Sequence, residues 1–177
     1  EERKDPGPGD SSRGGLIPEL RNPSPEEVVV VERNQTLTNL ALKHYGKTHL
    51  TFVDLLMESN PEITNVHLIR IEQKLKIPKI SMEHVIRLSR DRIWQIQVGT
   101  FGSPLAAGLY RGEPALRGKK VEVSARRVSP LETWYRVSAG PYGTREEALK
   151  AAGLLKDKGL LPIFPAGPEN LLSPGKS

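Results

Sequence analysis

The sequence predicts an α+β chain of two small packed units. The first reads βααβ. The second reads βαββαβ, with a four-stranded antiparallel sheet and two helices on one face. Three observations carry this prediction. An internal repeat at an offset of 41 positions pairs Gly99 with Gly140, Trp94 with Tyr135, Ile96 with Val137, Ala107 with Ala148 and Gly118 with Gly159. A β-branched run, Val28-Val29-Val30-Val31, and an alternating Leu75-Lys76-Ile77-Pro78 bracket two segments of helical period. Pro, Gly and charged residues dominate both ends of the chain, where little could be buried.

These signals divide the chain into a Pro/Gly-rich charged linker over 1–25, a first unit over 26–80, a bridge over 81–91, a second unit over 92–165 and a tail over 166–177 that is expected to be disordered. In the first unit, Leu37, Leu40, Ala41 and Tyr45 share one helix face, and Gly46 stands where a C-terminal glycine ends a helix. Thr51-Phe52-Val53-Asp54 has capping-box spacing and opens a second helix with Phe52, Leu55 and Leu56 inward, ended by Asn60-Pro61. The bridge is compatible with either a short strand or a helical turn.

The second unit opens with a strand over 93–99, where Ile96 and Val98 face one way and Gln95 and Gln97 the other. Ser103-Pro104 starts a helix that Gly108, Gly112 and Pro114 should shorten or break. Segments 120–127 and 134–139 alternate as a hairpin. Thr144-x-x-Glu147 opens a helix to about Lys158 with Ala148, Leu149, Ala152 and Leu155 inward, and 161–164 reads as the last strand. With both helices on one face, the other sheet face is expected to be open to solvent.

The chain has 177 residues, a net charge of +5 and no cysteine, so disulfides and thiolate metal sites are excluded. A basic balance favours polyanionic partners such as nucleic acid, anionic lipid or anionic wall polymer. No apolar run is long enough for a membrane span. The first residue is Glu1, so the sequence is expected to be part of a longer protein, with any membrane anchor or export signal upstream.

Residues 28–78 resemble a LysM domain. The resemblance rests on Val31-Glu32-Arg33-Asn34-Gln35-Thr36-Leu37, Leu40-Ala41, Tyr45-Gly46, Asn60-Pro61, His67-Leu68-Ile69 and Ile71-Glu72-Gln73-Lys74-Leu75-Lys76-Ile77-Pro78. Residues 92–165 resemble a SPOR domain, through Ile96-Gln97-Val98-Gly99-Thr100-Phe101, Tyr135-Arg136-Val137-Ser138-Ala139-Gly140-Pro141-Tyr142 and Glu146-Glu147-Ala148. LysM domains bind N-acetylglucosamine-containing glycans, and SPOR domains bind peptidoglycan strands stripped of stem peptides. The resemblance implies a peptidoglycan-binding module of a bacterial envelope protein in the periplasm, acting in division, secretion or wall remodelling.

On the SPOR-like sheet the open face would carry Gln95, Gln97, Trp134, Arg136 and Ser138, with Thr100 at a hydroxyl position the family uses. Amide and guanidinium hydrogen bonds plus an aromatic platform suit a sugar. In the LysM-like unit the groove walls would be Asn34, Gln35, Thr36 and Leu68 or Ile69. This unit departs from its pattern where the usual Gly-Asp is Asn34-Gln35 and the usual Pro-Gly is Ile71-Glu72. Asn tolerates positive φ, whereas Glu does so poorly and brings a charge into the groove.

No catalytic constellation, phosphate loop or metal-ligand spacing is present among His44, His49, His67 and His84, so no enzyme and no cofactor are expected. A basic βαββαβ sheet is also the architecture of RNA-recognition modules, but the aromatic RNP1 pattern is absent and nucleic acid is not the expected partner. The remaining alternative is a protein-docking module of a periplasmic division or secretion complex that has lost its glycan affinity.

Overall fold

A computed structural model describes residues 26–89 and 91–164. The linker expected over 1–25 and the tail expected over 166–177 lie outside them. The first unit runs β1 (Glu26–Val30), α1 (Leu37–Tyr45), α2 (Leu50–Ser59) and β2 (Lys74–Pro78). β1 and β2 pair antiparallel from Glu26↔Pro78 to Val30↔Lys74, closing the βααβ order. The Thr36 hydroxyl caps α1 by accepting from the Asn39 amide, and Gly46 ends it at φ 69°. Asn60 ties the end of α2 to β2, donating to the Leu56 and Lys76 carbonyls and accepting from the Lys76 amide.

The start of α2 differs from expectation. His49 is its N-cap, with Nδ1 accepting from the Thr51 amide at 3.2 Å. Thr51 and Asp54 have the spacing of a capping box, but both side chains leave the helix to bond the second unit. Every residue of α2 from Thr51 to Met57 is buried, which a helix touching only its own unit would not require.

The second unit contains β3 (Ile86–Leu88), β4 (Trp94–Phe101), β5 (Lys120–Ser129), β6 (Glu132–Tyr142) and α3 (Arg145–Asp157). The sheet order is β3-β4-β6-β5, antiparallel throughout. The bridge supplies both of its alternatives, a 3-10 turn at Met82–His84 and then β3. The first repeat copy's helix is reduced to 3-10 turns at Pro104–Leu109 and Pro114–Leu116, as its Gly and Pro residues predict. The predicted last strand over 161–164 does not form. It is a turn, with the Phe164 amide on the Leu161 carbonyl, although Leu161 and Ile163 are buried. Pro162 has no amide proton for a ladder, and β3 already holds the edge beside β4.

The repeat survives at its landmarks. Ser103 and Thr144 both cap the following turn or helix. Gly99 and Gly140 both sit where a Cβ would come within 3.0 Å of another side chain. α3 packs on β4 and β6 over Ile96, Val137 and Leu155, all fully buried. The opposite sheet face is not open as expected, because α2 of the first unit packs against β4 there. The chain is therefore a stack of first unit, sheet and α3.

Candidate functional site

Alternation along β6 sends Trp134, Arg136 and Ser138 to the face away from α3. Directly paired residues share a face, so β5 adds Arg126, Ser124 and Glu122, and β4 adds Gln97 and Thr100. Gln97 and Thr100 are three apart and would point oppositely in a regular strand. The register shift between Gln97 and Gly99 absorbs one residue and returns both to the same face. The Gln95 side chain crosses over Gly140 and its Nε2 lies 3.5 Å from Glu122 Oε2. β3 adds Arg87, opposite Gln95.

Thr51, Asp54 and Glu58 form one stripe of α2 and meet this face. The Thr100 amide donates to Thr51 Oγ1 at 3.0 Å. Asp54 is 1% exposed. Its Oδ2 accepts from Thr100 Oγ1 at 2.5 Å and from Arg136 Nε at 2.8 Å, while Oδ1 accepts from Arg136 Nη2 at 3.0 Å and from Arg126. Glu58 pairs with Arg87 at 2.5 Å and with Arg136 at 3.2 Å. Burial opposes the charge of Arg136, but the Asp54 and Glu58 carboxylates outweigh it and hold the guanidinium above its ordinary pKa. A buried network of this kind roughly breaks even against desolvation. The contact continues through the Val66 amide on the Val128 carbonyl, and His67 on Glu132, each at 2.8 Å.

The six residues expected to bind glycan on the sheet separate into three groups. Thr100 is 0% exposed and Trp134 3% exposed, so neither is presented to solvent. Trp134 spends its Nε1 proton on Glu132 Oε1 at 2.6 Å, and that bond, ahead of the His67 contact, lowers the Glu132 pKa. The expected aromatic platform is thus enclosed rather than presented to a ligand. Arg136 is half-buried with its guanidinium committed to Asp54 and Glu58. Gln95, Gln97 and Ser138 remain half-buried in the part of the face beyond α2, beside Glu122 and the exposed Ser124. The sequence reading missed Asp54, Glu58, Arg87 and Arg126 as members of this face. One signal was present: Asp54 interrupts the apolar run Phe52-Val53-Asp54-Leu55-Leu56, and a carboxylate in such a run needs a cation.

In the first unit, Asn34 and Glu72 both adopt positive φ, 65° and 67°. Their loops are joined at the base by the Glu72 amide on the Val31 carbonyl and the Val31 amide on the Gln73 carbonyl. Asn34 is exposed, but the Gln35 side chain bonds the Glu32 amide and carboxylate, and the Thr36 hydroxyl is used as the α1 cap. Leu68 is 69% exposed and Ile69 half-buried against the core. An open cleft of about 590 Å³, lined by Glu27, His44, Tyr45 and Ile80, lies at the opposite end of the β1–β2 ladder from these loops.

Among the described residues, no group of three or more His, Asp or Glu side chains is placed to hold a metal ion. No helix among them is long and apolar enough to cross a membrane. The SPOR domain family model matches residues 91–165. SPOR domains generally bind peptidoglycan, are not catalytic, and occur in bacterial envelope proteins. The resemblance of residues 28–78 to a LysM domain finds no counterpart in that match. No curated protein and no solved structure matches the chain.

Proposed function

We propose that this chain is a non-catalytic peptidoglycan-binding module that localises a larger protein of the bacterial periplasm or envelope. Glycan strands lie along the part of the sheet that α2 leaves uncovered. The observation that carries this reading is the row of Gln95, Gln97 and Ser138, continuous with Arg136, on the SPOR-matching sheet. Side-chain amides offer both a donor and an acceptor to sugar hydroxyl and acetamido groups, and Ser138 offers either.

The LysM-like unit adds weaker or vestigial glycan binding at Asn34, Gln35, Thr36, Leu68 and Ile69. Its βααβ order and the positive φ at Asn34 and Glu72 support that assignment. Two weak contacts on one chain reinforce each other by effective concentration.

A second reading is a docking module of a periplasmic division or secretion complex, without glycan affinity. The burial of Thr100 and Trp134 favours it, since both were expected to face the sugar. Co-sedimentation with purified sacculi separates the two readings, using intact walls and walls stripped of stem peptides by an amidase. Enrichment of the full chain on stripped walls, reduced by Gln97→Leu, supports glycan binding. Failure to pellet on either wall transfers the reading to protein docking.

A further inference from the structure

The ion-pair network on the sheet has the form of a filled ligand site. Arg136 presents two parallel N–H donors to the two oxygens of one planar carboxylate, Thr100 adds a hydroxyl donor, and Arg126 adds a second cation. This is the geometry by which guanidinium groups read carboxylates on ligands. The carboxylate that fills it belongs to the same chain but to a different unit, on α2. The cluster also adjoins the uncovered row, because Arg136 and Ser138 are successive residues on one face of β6, paired with Thr100 and Gln97 on β4. Both arginines keep about a quarter of their side-chain surface in water, at 23% each. A strand lying along Gln97 and Ser138 would reach this cluster next.

We propose that Arg126, Arg136 and Thr100 form a carboxylate-binding site that Asp54 fills, and that a carboxylate carried by a glycan strand competes with Asp54 for it. The inference rests on the glycan-binding reading above. The ligand group it fits is the lactyl carboxylate of N-acetylmuramic acid, which is free on a strand without stem peptides and tied up as an amide on an intact one. α2 is then an internal competitor. The site's apparent affinity is divided by the fraction of molecules in which Asp54 has let go. Glu58 strengthens the competitor through Arg87 and Arg136.

The test uses the full chain and its Asp54→Asn variant, which keeps the shape of the side chain and removes the competing charge. Both are pelleted with amidase-stripped sacculi, with free N-acetylmuramic acid or N-acetylglucosamine as the soluble competitor. The expected result is binding by the variant about tenfold tighter than by the unchanged chain, reversed by N-acetylmuramic acid and not by N-acetylglucosamine. Binding no tighter than that of the unchanged chain overturns the inference and leaves the glycan reading intact. Equal competition by the two sugars overturns the carboxylate assignment. No pelleting by either protein overturns both readings.

Should Asp54→Asn fail to fold, a reversible lock decides. The chain has no cysteine, and a 2.8 Å backbone hydrogen bond holds Val66 beside Val128 across the units. A Val66→Cys/Val128→Cys double variant, oxidised, should lose binding to stripped walls and regain it on reduction. Equal pelleting of the oxidised and reduced forms overturns the inference.

Discussion

Asp54 and Arg136 stand 82 residues apart in the chain, yet they make a two-point ion pair, Nε to Oδ2 at 2.8 Å and Nη2 to Oδ1 at 3.0 Å. That pair joins the second helix of one unit to a central strand of the other. Removing Asp54 alone leaves Arg126 and Arg136 side by side without their shared counter-charge. A double-mutant cycle with Asp54→Ala and Arg136→Ala, read by urea unfolding, should therefore show a coupling of about 2 kcal/mol. Coupling within error of zero would mean that this ion pair does not help hold the units together.

Gly99, Gly140 and Gly153 should respond oppositely to alanine. A Cβ on Gly140 would lie 3.2 Å from the Trp94 carbonyl oxygen and 3.0 Å from the Gln95 side chain; on Gly99 it would lie 3.0 Å from the Phe101 ring. Each of these substitutions should cost about 1–3 kcal/mol. Gly153 lies within α3 with nothing within 4 Å of its Cβ position, so Gly153→Ala should add about 0.5–1 kcal/mol. Thermal melts of the three variants check the ordering.

The cap of α2 should make stability depend on pH. His49 must be neutral for Nδ1 to accept from the Thr51 amide, and partial burial beside Phe101 lowers its pKa. A lowered folded pKa contributes stability that is present above the unfolded value of about 6.5 and is lost as pH falls through the lower folded value. The melting temperature should therefore fall on acidification below about pH 6.5. His49→Asn supplies a cap that does not titrate and should flatten that part of the profile. An unchanged profile in His49→Asn would assign the acid sensitivity elsewhere.

Two residues of the expected glycan site should separate binding from folding. Gln97 is half-buried beyond α2, so Gln97→Leu should weaken wall binding at constant melting temperature. Thr100 is enclosed and donates to Asp54, so Thr100→Val should cost about 1–3 kcal/mol of stability by leaving that carboxylate short of a donor. Parallel melts and sacculus co-sedimentation distinguish the two outcomes, and a stable Thr100→Val protein would contradict the Asp54 geometry.

Local chemistry made much of the architecture legible in the sequence. Alternation and helical period fixed β1, α1, β2, β4 and α3, and Ser103 and Thr144 cap where their spacing indicates. The 41-residue repeat identified the second unit, and its Gly and Pro residues foretold the broken first helix. Apart from the repeat itself, these features depend on residues within a turn or two of one another, which is the range over which propensity and capping act. The SPOR resemblance came from the same local patterns and agrees with the family match over residues 91–165.

What needed the tertiary structure is the pairing of distant surfaces. Residues 161–164 have a strand's composition, but an edge has room for one partner and Ile86–Leu88 takes it. Trp134 and Arg136 share a face, as alternation requires, and the register shift between Gln97 and Gly99 brings Thr100 to it, yet alternation cannot say what covers that face. Asp54 decides it: a carboxylate on a helix otherwise buried all round is tolerable only where cations and a hydroxyl meet it, and the sheet of the other unit supplies them. The sequence by itself determined which side chains a regular stretch of strand presents, and the register shift in β4 belongs to the fold. The fold alone decided which of them remain for a ligand, because burial depends on contacts between residues 46 to 82 positions apart.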